Sequence, residues 1–319
     1  MGKEPLQNKE KNFVSCVLYL HNDGENIREF LRTVCGTMEE NFEKYEVVCV
    51  NDCCTDNTLA EIRSFLEEST GHHVVSLINL SFYQGVEMAM NAGRDLAVGD
   101  FLFEFDKCIP DFAPSLIMEL YHKALEGNDV VAAAPKKDVA FTSRLFYAVY
   151  NLGSRNSYKL RQERFRIISR RAVNRVNQMN AYIPYRKAMY MNCGLRAETI
   201  SYDNKEMGKG ARNREERNTR SSLALDTLII FTDVLEKFSV MISGILFVVL
   251  MIMFGWIVYS IFSTVRPVEG WMSLMTLISF GFFMMSVMLT LIFKYLSVIL
   301  NMSFKRQRYV IEGVEKLTK

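Results

Sequence analysis

The sequence predicts an α/β fold: a doubly wound, mostly parallel sheet, followed by an amphipathic juxtamembrane helix and two transmembrane helices. Three observations carry this expectation. Short apolar runs at residues 13–20, 46–50, 73–79 and 101–105, each bounded by turn residues, read as strands buried on both faces. Helix-spaced apolar residues fill the intervals, and strand–helix alternation at this spacing makes a parallel sheet. Two uncharged stretches, 28 residues at 238–265 and 24 at 270–293, exceed the roughly 20 apolar residues that cross a bilayer.

Taken in order, residues 1–12 form a polar tail. The first strand closes on His21-Asn22-Asp23-Gly24, and Ile27, Phe30, Leu31 and Val34 then mark a helix. The second strand ends in Asn51-Asp52-Cys53-Cys54-Thr55-Asp56, where Thr55 or Asp56 is placed to cap the helix at 59–68. A third strand precedes a helix at 83–98, opened by Gln84-Gly85. The fourth strand is nearly all apolar but contains Glu104 and ends at Asp106. Further strands are expected at 129–134, 165–168, 190–192 and 198–202, with helices at 140–153 and 170–179. Residues 310–314 fall in a short strand-like tail at 308–314. Residues 205–220 are a charged, glycine-punctuated linker, and 221–237 form the amphipathic helix suited to a membrane surface.

This gives a cytoplasmic domain at 13–204, the linker and interfacial helix, a transmembrane hairpin at 238–293 and a tail at 294–319. The hairpin lies far from the N terminus, so neither span is a signal peptide. Lys205, Lys209, Arg212, Arg214, Arg217, Arg220 and Lys237 precede it, and Lys294, Lys305, Arg306 and Arg308 follow. The connecting loop offers only Arg266. Basic flanks stay on the cytoplasmic side, so both termini are expected there. With 38 basic and 36 acidic residues, no global field selects nucleic acid as a partner. Seven cysteines in a cytoplasmic domain are expected as free thiols.

Ligands of open α/β sheets sit beyond the carboxyl ends of the strands, where Asp106 and Asp52 emerge. A carboxylate there suits a divalent cation carrying a phosphate; capping a turn is the plain alternative for each. Asp56 is expected as a helix cap and Glu87 as a structural hydrogen-bond acceptor. Arg161, Arg164, Arg166, Arg170 and Arg171 form a basic cluster, either a solvated face or a site for a lipid phosphate. His72 and His73 are expected at the surface, and Met284, Met285 and Met288 as packing within the span.

Residues 14–27 (VSCVLYLHNDGENI), 47–58 (VVCVNDCCTDNT), 85–100 (GVEMAMNAGRDLAVGD) and 165–176 (FRIISRRAVNRV), with the two spans and the RYVIEGV tail, resemble family-2 glycosyltransferases of the GT-A fold. Among these the chain is most similar to membrane-anchored polyprenyl-phosphate glycosyltransferases of the dolichol-phosphate mannose synthase type, over roughly residues 13–314. The resemblance implies transfer of a sugar from a UDP- or GDP-linked donor to polyprenyl phosphate at the cytoplasmic membrane face. It implies Leu20, His21, Asp52, Cys53, Gly85 and Asp106 at the nucleotide, and Asp106 with Asp111 at a Mg2+ or Mn2+ ion. Asp106, Arg164 and Arg166 then serve catalysis, and Arg161, Arg170 and Arg171 the lipid phosphate. A homo-oligomer, tetrameric by resemblance, or a hetero-oligomer with a paralogue is implied as well.

The chain departs from that pattern at the chemistry. The Asp-x-Asp metal pair is Asp106-Lys107-Cys108, and a thiol is a poor ligand for hard cations. The carboxylate expected before Phe165 is Arg164, and the Gly-Ser after Asp52 is Cys53-Cys54. Three readings stay open: a divergent active transferase, a catalytically impaired homologue acting as scaffold or regulatory partner in surface-glycan assembly, or a soft-metal site built from His21, Cys53, Cys54 and Cys108.

Overall fold

The computed structural model describes residues 9–69, 71, 73–136, 163–178, 186–192, 194–203, 234–262, 270–303 and 309–317. The chain divides into two compact units, Met1–Asn151 with Asn156–Ala224 and Lys305–Lys319, and Leu152–Arg155 with Leu225–Phe304.

The first unit is built on β1 (Val14–Leu20), β2 (Tyr45–Asn51), β3 (Val75–Leu80), β4 (Phe101–Phe105), β5 (Val130–Pro135), β6 (Phe165–Ser169), β7 (Ala197–Tyr202) and β8 (Ile311–Lys316). They form one sheet in the order β7-β5-β6-β4-β1-β2-β3-β8. The β1–β2, β1–β4, β2–β3 and β5–β7 pairs are parallel, whereas β6 runs antiparallel to β4 and β5, and β8 antiparallel to β3. Helices α1 (Ile27–Asn41), α2 (Thr58–Glu68) and α3 (Val86–Leu96) fall in the predicted intervals. Helix α4 (Ser115–Leu125) goes beyond the sequence reading, although its buried Leu116, Ile117, Leu120, Tyr121 and Ala124 share a helical stripe. Helix α5 (Arg170–Gln178) follows β6. Residues 190–192, expected as strand, belong instead to helix α6 (Arg186–Asn192), because this segment is recruited by buried charge rather than by an apolar alternation.

Successive residues of a strand point to opposite faces, and β4 uses both. Phe103 and Phe105 join Phe30, Phe112 and Phe165 in an aromatic layer, with Phe105 and Phe165 stacked at 4.9 Å between ring centroids. Glu104 points the other way, toward α3 and α6. Helix α3 lies close on β1 and β2 through Gly93, where a Cβ would stand 2.3 Å from Val17 Cγ1 and 2.8 Å from Val50 Cγ2.

In the second unit, α7 (Val234–Phe262) and α8 (Trp271–Ser303) contain Ser239–Ser260 and Ser273–Leu296, each long and apolar enough to cross a membrane. Ser243 Oγ and Ser286 Oγ are hydrogen-bonded at 2.8 Å between the helices, and Phe247 meets Phe283. Such hydroxyl contacts and ring packing hold helix pairs together in lipid, where no hydrophobic force acts between them. The expected boundaries near 204 and 220, the interfacial helix up to residue 233 and the helix at 140–153 lie outside the described residues, whereas the boundary expected at 237 falls inside α7, which runs unbroken from Val234.

Candidate functional site

The parallel register of β1, β2 and β4, with Leu20 opposite Asn51 and Leu18 opposite Phe105, brings their carboxyl ends to one edge. Asp52 is buried there, and its carboxylate accepts the N–H groups of Gln84 (2.8 Å) and Gly85 (2.8 Å) and the Tyr19 hydroxyl (3.0 Å). Burial pushes the Asp52 carboxyl above its usual range, against the pull of these hydrogen bonds. Its carbonyl meets His21 Nδ1 at 2.7 Å, and the His21 ring lies 4.7 Å from that of Tyr83. Gly85 has φ 82°, the left-handed backbone that turns its N–H toward Asp52. Thus His21, Asp52 and Gly85 are brought together as expected, with Leu20 buried beside them and Cys53 next in the turn at φ 55°. Asp52 ties β2 to α3, so its carboxylate is spent inside the protein. Asp56 caps α2 by accepting the N–H (3.0 Å) and hydroxyl (2.5 Å) of Thr58.

Asp106 belongs to a second cluster beside this one, assembled across β4, β6, α3 and α6. Glu104 stands opposite Arg166 in the β4–β6 register. Its Oε2 accepts Arg166 Nη1 and Arg186 Nη1, both at 2.7 Å, and its Oε1 accepts the Tyr190 hydroxyl at 2.6 Å. Arg166 also donates to Glu163 (3.1 Å) and to Asp106 Oδ2 (3.0 Å). Arg186 donates to Glu87 (3.0 Å) and to Asp106 Oδ1 (2.7 Å), and Lys187 Nζ lies 3.7 Å from Asp106 Oδ2. Glu104, Arg166 and Arg186 are wholly buried. Burial opposes ionisation of Asp106, but Arg166, Arg186 and Lys187 outweigh it and hold the carboxyl well below its usual range. Arg166 is raised in turn: desolvation works against its charge, and Asp106, Glu163 and Glu104 more than offset it. Lys187 is lowered by its burial.

The remaining expected residues divide. Asp111 accepts Arg164 Nη2 at 2.5 Å and the Tyr202 hydroxyl at 3.2 Å. Arg170 and Arg171 lie at the wrong end of the sheet for a phosphate at Asp106, because antiparallel β6 sets Ser169 opposite Phe101, the first residue of β4. There Arg170 donates to the carbonyls of Ala97 and Gly99, and Arg171 pairs with Asp129. Arg161 lies outside the described residues. His73, expected at the surface, is buried between Tyr45 and Ser69 and stacked on Phe65; His72 is outside the described residues. Glu87 takes the structural role expected of it, accepting both the backbone and side-chain N–H of Arg186.

These side chains do not fit a hard divalent cation. Both oxygens of Asp106 face guanidinium groups, both oxygens of Asp111 are hydrogen-bonded, and the buried Cys108 thiol donates to the Tyr19 carbonyl at 3.4 Å. A soft-metal site fares no better: no group of three or more His, Cys, Asp or Glu ligands occurs among the described residues, and the six described cysteines are free. The sequence reading missed Arg186, Lys187, Glu163 and Tyr190. Glu104 was the available signal, since a carboxylate inside a doubly buried strand requires buried cations.

A family profile described as glycosyl transferase family 2 matches residues 15–190. An uncharacterized glycosyltransferase of Synechocystis sp. (strain ATCC 27184 / PCC 6803 / Kazusa) is 27% identical over 62% of this chain and 63% of its own, so under two thirds of that protein is matched. An uncharacterized glycosyltransferase of Bacillus subtilis (strain 168) is 23% identical over 94% of each chain. An undecaprenyl-phosphate 4-deoxy-4-formamido-L-arabinose transferase of Enterobacter sp. (strain 638) is 29% identical over 41% of this chain and 40% of its own. Among solved structures, a mannosyltransferase from Pyrobaculum calidifontis in complex with GDP-Man and Mn2+ superposes with a TM-score of 0.51 at 16% identity, covering 68% of this chain and 63% of that one. That likeness establishes a shared GT-A-type fold.

Proposed function

We propose, from the premise that this chain belongs to glycosyl transferase family 2, that it transfers a sugar from a UDP- or GDP-linked donor to polyprenyl phosphate at the cytoplasmic face of a membrane. The family match carries the reading, because residues 15–190 run unbroken through β1–β6 and both strand-end clusters. The donor would lie over His21, Asp52, Cys53 and Gly85. An oxygen of the acceptor phosphate attacks the anomeric carbon, the bond from that carbon to the diphosphate breaks, and the nucleoside diphosphate leaves. The attacking phosphate is already ionised at neutral pH, so no side chain has to remove a proton from it.

Two features support a lipid acceptor. The chain carries two helices long enough to span a bilayer, and a covalent tether raises the effective concentration of a membrane-bound substrate. One partial relative is named for an undecaprenyl-phosphate acceptor. Basic residues flank both spans and are nearly absent from the intervening loop, which favours cytoplasmic termini.

The test is radiolabelled sugar transfer by the purified full-length protein, offered UDP- and GDP-sugars with polyprenyl phosphate in micelles. A lipid-extractable labelled product is expected. Failure with every donor, while nucleotide still binds, would favour the second reading, a scaffold or regulatory partner. The complete ion pairing of Asp106 is the observation on that side.

A further inference from the structure

We infer that fixed cations of this chain occupy the place of a divalent ion beside Asp106, so that donor binding here is metal-independent. The inference about donor binding rests on the transferase reading above; the inference about the ion does not.

Three arguments lead to it. The first is ligation. A hard cation is held by oxygen lone pairs, and the candidate ligands have none turned free: Asp106 is engaged by Arg166, Arg186 and Lys187, and Asp111 by Arg164 and Tyr202. Cys108 is fully buried, and its thiol donates to the Tyr19 carbonyl at 3.4 Å.

The second is anchoring. Arg166 and Arg186 could release Asp106 only by turning away, and each is tied elsewhere. Glu104 holds both, Glu163 holds Arg166 and Glu87 holds Arg186. Neither guanidinium reaches solvent. Detaching one would leave its carboxylate partners buried and uncompensated, a penalty that buried ion pairs resist.

The third is charge. Glu87, Glu104, Asp106 and Glu163 already meet Arg166, Arg186, Lys187 and, through Tyr190, Arg94. Four acidic groups thus face four basic ones, so the cluster is already neutral and an added divalent ion would bring uncompensated positive charge into a buried site. Arg164 stands where the family resemblance places a carboxylate, and its Nε–H is among the buried donors without a hydrogen-bond partner. The guanidinium as a whole is paired with Asp111 but keeps an edge toward solvent, where arginine is suited to meet a phosphate.

The experiment uses the full-length protein in detergent micelles. Electron paramagnetic resonance titrates Mn2+ alone into the wild type and Asp106→Asn, and calorimetry titrates UDP and GDP in EDTA and in excess Mn2+. The expected result is no Mn2+ site that depends on Asp106, and nucleotide affinity that differs by less than about threefold between the two conditions, under 1 kcal/mol. A Mn2+ site lost in Asp106→Asn would overturn the inference, as would a loss of nucleotide affinity in EDTA of about tenfold or more. If neither nucleotide binds in either condition, the transferase reading fails, and the Mn2+ titration still decides the question of the ion. Should Asp106→Asn not fold, Asp111→Asn takes its place in the Mn2+ titration: no Mn2+ site that depends on Asp111 is expected, and a site present in the wild type but lost in that variant would likewise overturn the inference.

Discussion

Replacing Glu104 by Gln tests whether the charge cluster is one mutually dependent unit. The side chain keeps its size but loses its charge, leaving Arg166 and Arg186 each short of a partner at 2.7 Å with no access to water. The amide NH2 must also face either the two guanidinium donors or the Tyr190 hydroxyl, which now donates to Glu104. Removing one member of a buried ion pair costs about 3–5 kcal/mol, which lowers the melting temperature by roughly 6–20 °C for a domain of 150–250 residues.

The assay follows from where the reporters lie. Both tryptophans, Trp256 and Trp271, are in the helical pair, so tryptophan fluorescence is blind to this domain; all seven cysteines fall between Cys16 and Cys193. Thermal labelling of the full-length protein with a thiol-reactive maleimide dye therefore reads unfolding of the sheet domain. Glu68→Gln, at an exposed pair with Arg28, is the control and should stay within about 0.5 kcal/mol of wild type. Glu104→Leu combined with Arg166→Met removes one charge of each sign and should cost at least about 1 kcal/mol less than the two single changes added together. A Glu104→Gln loss below about 1 kcal/mol, or strict additivity in the double variant, would refute the description of a coupled buried network.

Three more outcomes are expected from the same thiol assay or from its pH dependence. Cys53→Gly should stabilise the domain by roughly 0.5–1 kcal/mol, because φ 55° is the left-handed region that glycine enters freely; a loss would mean that the weak contact of Cys53 Sγ with the Leu80 carbonyl matters more. Gly93→Ala should cost about 1–3 kcal/mol by pressing a methyl group into Val17 and Val50, and no change would show that α3 is free to shift outward. Burial lowers the pKa of His73, so the folded domain favours its neutral form. Stability from this residue is therefore complete above the unfolded value near 6.5 and falls as the pH drops below it. His73→Gln should flatten that acid limb, and an unchanged pH profile would rule the assignment out.

Periodicity located β1–β4 and α1–α3 within a few residues, since each has a buried apolar stripe that no polar sequence can imitate. It missed α4, whose stripe is equally clear, and misread α6, whose reason for burial is the Arg186–Glu87–Glu104 contact rather than apolar pattern. The convergence of His21, Asp52 and Gly85 was legible because parallel strands open on one edge. The placement of Arg170 and Arg171 was not, because it depends on β6 running antiparallel, and residue spacing is silent on strand direction.

The order of apolar runs and turns by itself determined the sheet-and-helix alternation and the two long apolar helices. These follow from hydrophobic pattern, which is local and additive along the chain. Tertiary structure alone decided the state of the carboxylates. Whether Asp106 offers its oxygens to an ion or spends them on Arg166 and Arg186 depends on residues 60 and 80 positions away, and a buried charge takes its chemistry from what stands within a few ångströms of it.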